Sequence, residues 1–224
     1  MTDLDINTPR GQETLADEKK AAEAFEREYG WRYIHTPKVR ASKIDAILLN
    51  EQSEIAGVVL ASARYECSID KFMTEWDAEW LLTWRKLAVA ARVARDLQVM
   101  LFGFLYVVDD RLLLIKRLYD PMRPVRTARW LAQFRLDRTE TKATVNGGRA
   151  VRLNAFVNIE QATRLPVLTD AERAGHPNGF VGHDSTGRFV HFCRCGKDAS
   201  QSDNFGSLRR GEFGVWYCSP EHRP

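Results

Sequence analysis

Residues 43–67 read KIDAILLNEQSEIAGVVLASARYEC. The run KIDAILLN (43–50) is rich in Ile and Leu and predicts a strand carrying one carboxylate, Asp45. EQSE is polar and reads as its turn. IAGVVLASARYE (55–66) reads as the returning strand. Period-two geometry puts residues 60, 62 and 64 of that strand on one face, the face that meets Asp45 across the pair. Those positions hold Leu60, Ser62 and Arg64.

Outward from this pair, TLADEKKAAEAFEREY (14–29) predicts a helix with Ala22, Phe25 and Tyr29 on one side and Gly30 as its C-terminal cap. WRYIHTP (31–37) predicts a short strand closed by Pro37. In 72–98 the residues Trp76, Trp80 and Trp84 recur every four positions, and Leu87, Ala91 and Ala94 continue the stripe, which predicts one long helix packed on a core. VMLFGFLYVV (99–108) is wholly apolar and predicts a buried strand, and RLLLIKRL (111–118) follows as another. The expected order is helix, three strands, long helix, two strands. That defines an α/β class with a mixed sheet and flanking helices.

Beyond YDPMRPVRT the texture changes. RWLAQFRLD (129–137) and AVRLNAFVNI (150–159) predict further strands, and HPNGFVGHDSTGR (176–188) reads as loop. The expected organisation is a flexible N-terminus (1–13), an α/β core (14–120), a β-rich extension (121–188) and a terminal unit (189–224). No internal repeat or low-complexity tract is present.

Charge divides the chain. Residues 1–120 carry 17 Lys+Arg against 20 Asp+Glu, a net of −3, while residues 121–224 carry 16 against 10, a net of +6. Fourteen of those 16 cations are arginine, whose rigid fork suits phosphate oxygens. A basic half favours a polyanionic partner, and a solvated basic surface is the alternative. No apolar run approaches the ~20 residues needed to cross a bilayer. The N-terminal MTDLDINTPRGQETLADEKK lacks the apolar segment of a secretory signal, so a cytoplasmic location without membrane association is expected.

Of four cysteines, three lie in the last 32 residues. Cys193-x-Cys195 forms one close pair and Cys218-x3-His222 a second, with 22 residues between them. Two pairs of such ligands fit tetrahedral Zn²⁺, with His191 as a substitute for His222. With four protein ligands the metal has no open position, so its expected role is to staple a tail too small for its own core. GSLRRGEFGVWY is expected to show Arg209 and Arg210 on a turn between two short strands. Trp216 and Tyr217 lie nearby, a composition that suits nucleic acid and equally docking on the first domain or on a protein.

The order of elements over residues 14–120 resembles the restriction-endonuclease-like fold of the PD-(D/E)XK nuclease superfamily. TWRKLAVAARVA is similar to the helix after the motif strand in phage-type members, and TVNGGRAVRLNAFVNI (144–159) to a segment downstream of the core in phage and prophage nucleases. The family's returning strand reads roughly VVExKxRY; here it is VVLASARY. The resemblance places the first motif carboxylate on Asp45, the second acidic position on Leu60 and the lysine on Ser62, while Arg64 and Tyr65 keep the flanking pattern.

The resemblance implies a Mg²⁺ ion held by two carboxylates, which activates water and stabilises charge on phosphorus. One carboxylate leaves Mg²⁺ mostly hydrated. The expected function is therefore a nuclease-like protein that binds nucleic acid, DNA ahead of RNA, with cleavage weak or lost. An active Mg²⁺-dependent nuclease with migrated groups is the alternative. It would draw on Glu79 and Lys86, which lie seven residues apart on the long helix and so share a face, or on Glu66, Glu23 or Glu26. A third reading is a phage-encoded interaction protein that inhibits a host defence. Lys86, Arg64, Arg149, Arg209 and Arg210 are the expected phosphate contacts.

Elemental analysis of protein purified without added metal checks the terminal unit. One Zn²⁺ per chain is expected, reduced in Cys193→Ser and Cys218→Ser variants; a zinc content near zero in well-folded protein overturns the assignment.

Overall fold

The computed structural model describes residues 8–37, 42–75, 77–122, 130, 133–140, 151–160 and 162–169, together with four short strands in the C-terminal part. The first helix, α1, runs Pro9–Tyr29. It begins earlier than expected because Thr8 caps it, its hydroxyl accepting from the Gly11 amide, and Pro9 fits the first helical position. It ends at Gly30, which takes φ 67° and donates its amide to Glu26. Such a left-handed cap favours glycine.

Strands β1 (Arg32–His35), β2 (Ala46–Leu49) and β3 (Ile55–Arg64) follow as a meander. The region 72–98 is not one helix. It divides into α2 (Ile69–Glu75), β4 (Glu79–Thr83) and α3 (Trp84–Asp96). The misreading has a physical cause: a spacing of four keeps residues on one side of a strand as well as near one side of a helix. In β4 the buried residues are Trp80 and Leu82, at strand spacing. Trp76 lies outside the described residues.

Strands β5 (Met100–Val107) and β6 (Leu112–Tyr119) form an antiparallel hairpin, with β5 parallel to β3. The expected strand at 129–137 begins only at Arg135, as β7 (Arg135–Glu140), while Trp130 packs in the core. The strands β8 (Val151–Asn158) and β9 (Thr163–Pro166) follow. Within 176–188, read as loop, Val181–His183 form β10, which pairs with β11 (Phe189–His191). Arg209–Arg210 are not on a turn: they form β12, paired with β13 (Trp216–Tyr217).

The architecture is α/β. A six-stranded mixed sheet runs β1-β2-β3-β5-β6-β9, with β3 and β5 parallel and the other neighbours antiparallel. A three-stranded antiparallel sheet, β4-β8-β7, packs beside it. The described strands β7, β8 and β9 of the stretch 121–188 join the two sheets: β7 and β8 build the small sheet on β4, and β9 edges the large one. Among the described residues no helix is long and apolar enough to cross a membrane.

Alternation sorts the large sheet into two cores. On one face Val59, Phe104, Leu113 and Leu48 meet Ala21, Ala22 and Phe25 of α1. On the other, Val58, Leu60, Leu101, Leu105 and Leu114 meet Leu87, Ala90 and Ala94 of α3 and Trp80 of β4. Trp80 is the bolt between the sheets. It lies over Gly103 of β5, where a Cβ would stand 2.4 Å from the Trp80 ring. Its indole N–H donates to Ser62 Oγ at 2.9 Å.

Gly103→Ala drives a methyl into that ring. Urea unfolding is expected to show a loss of about 1–3 kcal/mol, the usual cost of overpacking; an unchanged midpoint would show that Trp80 has room to move.

Candidate functional site

The backbone fixes Asp45 before its side chain acts. Its amide donates to Val59 O at 2.9 Å, and its carbonyl accepts from the Thr36 amide at 2.9 Å. Thr36 Oγ1 adds a longer contact of 3.1 Å to the same carbonyl. Asp45 is thus held one residue ahead of β2, 4% exposed. Ala46 faces Val59 in the ladder. The next pair in that register is Asp45 and Leu60, so the carboxylate lies on the α3 face of the sheet.

A carboxylate removed from water needs a partner. Lys86, in the first turn of α3, supplies one. Its Nζ lies 2.6 Å from Asp45 Oδ2 and 2.9 Å from Oδ1, and Oδ2 also accepts the Ala61 amide at 2.8 Å. Both oxygens are engaged. A lysine in the first turn is poorly placed against the positive end of a helix, and α3 has no acidic residue there. The buried carboxylate offsets that placement as well as the ammonium charge. It also reaches Tyr33, whose pKa is raised first by burial and then by the negative charges of Asp45 and Glu18.

The two motif positions on β3 serve the core. Leu60 is fully buried, a burial worth roughly 2 kcal/mol. Ser62 is taken by Trp80. Arg64 ends β3 on the same face and is partly buried, and burial lowers its pKa.

The pairing of Glu79 with Lys86 on a shared helix is not found. Glu79 opens β4, and its carboxylate accepts from the Arg135 guanidinium at 2.5 and 3.2 Å, which raises the Arg135 pKa. Glu26 accepts the Tyr33 amide, Glu23 pairs with Lys19, and Glu66 is exposed beyond β3. So of the expected groups only Lys86 is brought to Asp45. Among the described residues no cluster of three or more His, Cys, Asp or Glu could hold a metal ion. Arg149, Cys193, Cys195, Cys218 and His222 lie outside the described residues. For Arg209, Arg210 and His191 only the strand assignment is described.

Chemically, the arrangement is a carboxylate already carrying its cation. A divalent ion would have to displace a tethered ammonium and then complete its shell beside Leu60. Sequence reasoning missed the Trp80–Ser62 bond, because a serine and a tryptophan 18 residues apart in sequence carry no mark of contact. Comparison with family models, curated proteins and solved structures returns no match, so the reading of the site rests on its own residues.

Lys86→Met removes the ammonium that lies on buried Asp45 and is expected to cost about 3 kcal/mol in urea unfolding. Asp45→Asn combined with Lys86→Met should recover much of that loss, since neither charge remains. Two additive single-variant losses would contradict the coupling.

Proposed function

We propose that the chain is a nuclease-like nucleic-acid-binding protein of restriction-endonuclease-like fold whose cleavage chemistry is absent or weak. The carrying observation is the Asp45–Lys86 ion pair beside fully buried Leu60. The order α1-β1-β2-β3, then α3-β5-β6 with α2 and β4 inserted before α3, supports the fold reading, with the motif aspartate at the head of β2 and α3 packed on the face that carries it. The net +6 of residues 121–224 supports a polyanionic partner. A zinc-stapled tail carrying Arg209 and Arg210 belongs to the same reading.

The Asp45–Lys86 pair also gives the active-nuclease reading its one foothold, because a lysine reaches the motif aspartate from α3 rather than from β3. That reading still requires a second carboxylate, and Glu79 is committed to Arg135.

Binding and cleavage assays on DNA and RNA separate the two. Wild-type protein is expected to bind at low salt, with affinity falling steeply as salt rises. Charge reversal at Arg209 and Arg210 should weaken binding alike across sequences. Negligible cleavage is expected with Mg²⁺ or Mn²⁺. Robust wild-type cleavage that Asp45→Ala abolishes would establish the active reading, and no binding to any nucleic acid at low salt would leave the protein-interaction reading.

A further inference from the structure

Away from Asp45, a cleft of about 700 Å³ opens between the end of β3 and the small sheet. That volume lies within the roughly 300–1,000 Å³ of small-molecule sites. Its walls bring together Arg64 at the end of β3, Arg10 from α1, Arg135 from β7 and Phe156 from β8, with Asp77 and Glu79 leading into β4.

Two of the three arginines are already neutralised and stacked. Arg135 lies 3.7 Å over the Phe156 ring and is forked on Glu79. Arg10 lies 3.7 Å over the Tyr65 ring and bonds Glu13 at 3.1 Å. Arg64 differs. It is partly buried, burial pulls its pKa down, and among the described residues no carboxylate pairs with it. A guanidinium withdrawn from water without an anion is costly unless a ligand supplies one. Its planar fork matches phosphate oxygens.

The rim adds a second observation. Glu66 and Asp77 take φ of 56° and 50°, in the left-handed region, and both line the cleft. The segment at Glu66 is pinned from outside: the Cys67 amide donates to Asp109 Oδ2 at 3.0 Å, and the Ile69 amide donates to Asp110 Oδ2. Strained backbone that the surroundings hold in place is characteristic of ligand sites. Both rim carboxylates are exposed and offer acceptors, while the cation lies within.

We propose that this cleft binds a phosphate ester of nucleotide size. The phosphate is held by Arg64, sugar or base donors meet Glu66 and Asp77, and the flat base stacks on the outer face of the Arg10 guanidinium, a surface that bases use. An amino acid would match the opposite charges but leave most of the volume and both stacked planes unused. The inference stands apart from the nucleic-acid reading, because a free nucleotide tests the cleft alone and failure of long DNA or RNA to bind bears only on that reading.

Calorimetric titration of the full chain with a nucleoside monophosphate, its parent nucleoside, inorganic phosphate and a free amino acid tests it. The monophosphate is expected to bind at least tenfold more tightly than the nucleoside or the amino acid. Arg64→Gln should weaken it at least tenfold, Arg64→Lys less, and Arg95→Gln, a change of equal charge on the exposed end of α3, not at all. Arg10→Ala, at a solvent-exposed position, keeps the test open if Arg64→Gln does not fold: it should weaken the monophosphate several-fold and leave inorganic phosphate unchanged. Equal affinity for nucleoside and monophosphate, tighter binding of the amino acid, indifference to both substitutions, or no binding of any probe overturns the proposal.

Discussion

A buried carboxylate must be answered by a cation, and the Asp45–Lys86 pair is how this fold answers it. Two backbone hydrogen bonds hold Asp45 at the head of β2. The ammonium comes from α3, which ties the register of the β2–β3 hairpin to the position of that helix. Beside it, Leu60 gives the core a fully buried apolar group. Buried pairs of this kind punish the loss of one partner more than they add stability over an apolar replacement.

The second organising contact is Trp80. By seating its ring on Gly103 and its indole N–H on Ser62, it fastens the β4-β8-β7 sheet to the α3 face of the large sheet. The fastening covers the middle of β3 and leaves its end, at Arg64, at the mouth between the sheets. The position that the resemblance assigns to a catalytic lysine is thus occupied by a structural hydrogen bond. The charge that remains exposed to ligand lies two residues further along the same face.

Much of the large sheet was legible because residues 55–61, 99–108 and 112–115 are apolar runs bounded by polar turns, and Gly30 marks the end of α1 openly. Asp45 was legible as a lone carboxylate in an apolar strand. The division of 72–98 was not, since tryptophans four apart satisfy helix and strand alike. What decides between them is the pairing of β4 with β8, more than 60 residues later, and long-range pairing overrides local period. Lys86 was legible as a candidate, but its partner was not: it was grouped with Glu79 by helical spacing, whereas the sheet delivers Asp45. The cleft was invisible in the sequence because its arginines come from α1, β3 and β7, and only the tertiary fold brings them together.

The central claim is that Asp45 is a structural ion-pair partner and not a metal ligand. The direct test is Mn²⁺ binding to the wild-type chain, followed by electron paramagnetic resonance of the free ion and compared with Asp45→Asn, after any tightly bound zinc has been counted. The account predicts that the two proteins take up Mn²⁺ identically and weakly. Saturable Mn²⁺ uptake by the wild type that Asp45→Asn removes would contradict it, and would mean that Lys86 gives way to a metal.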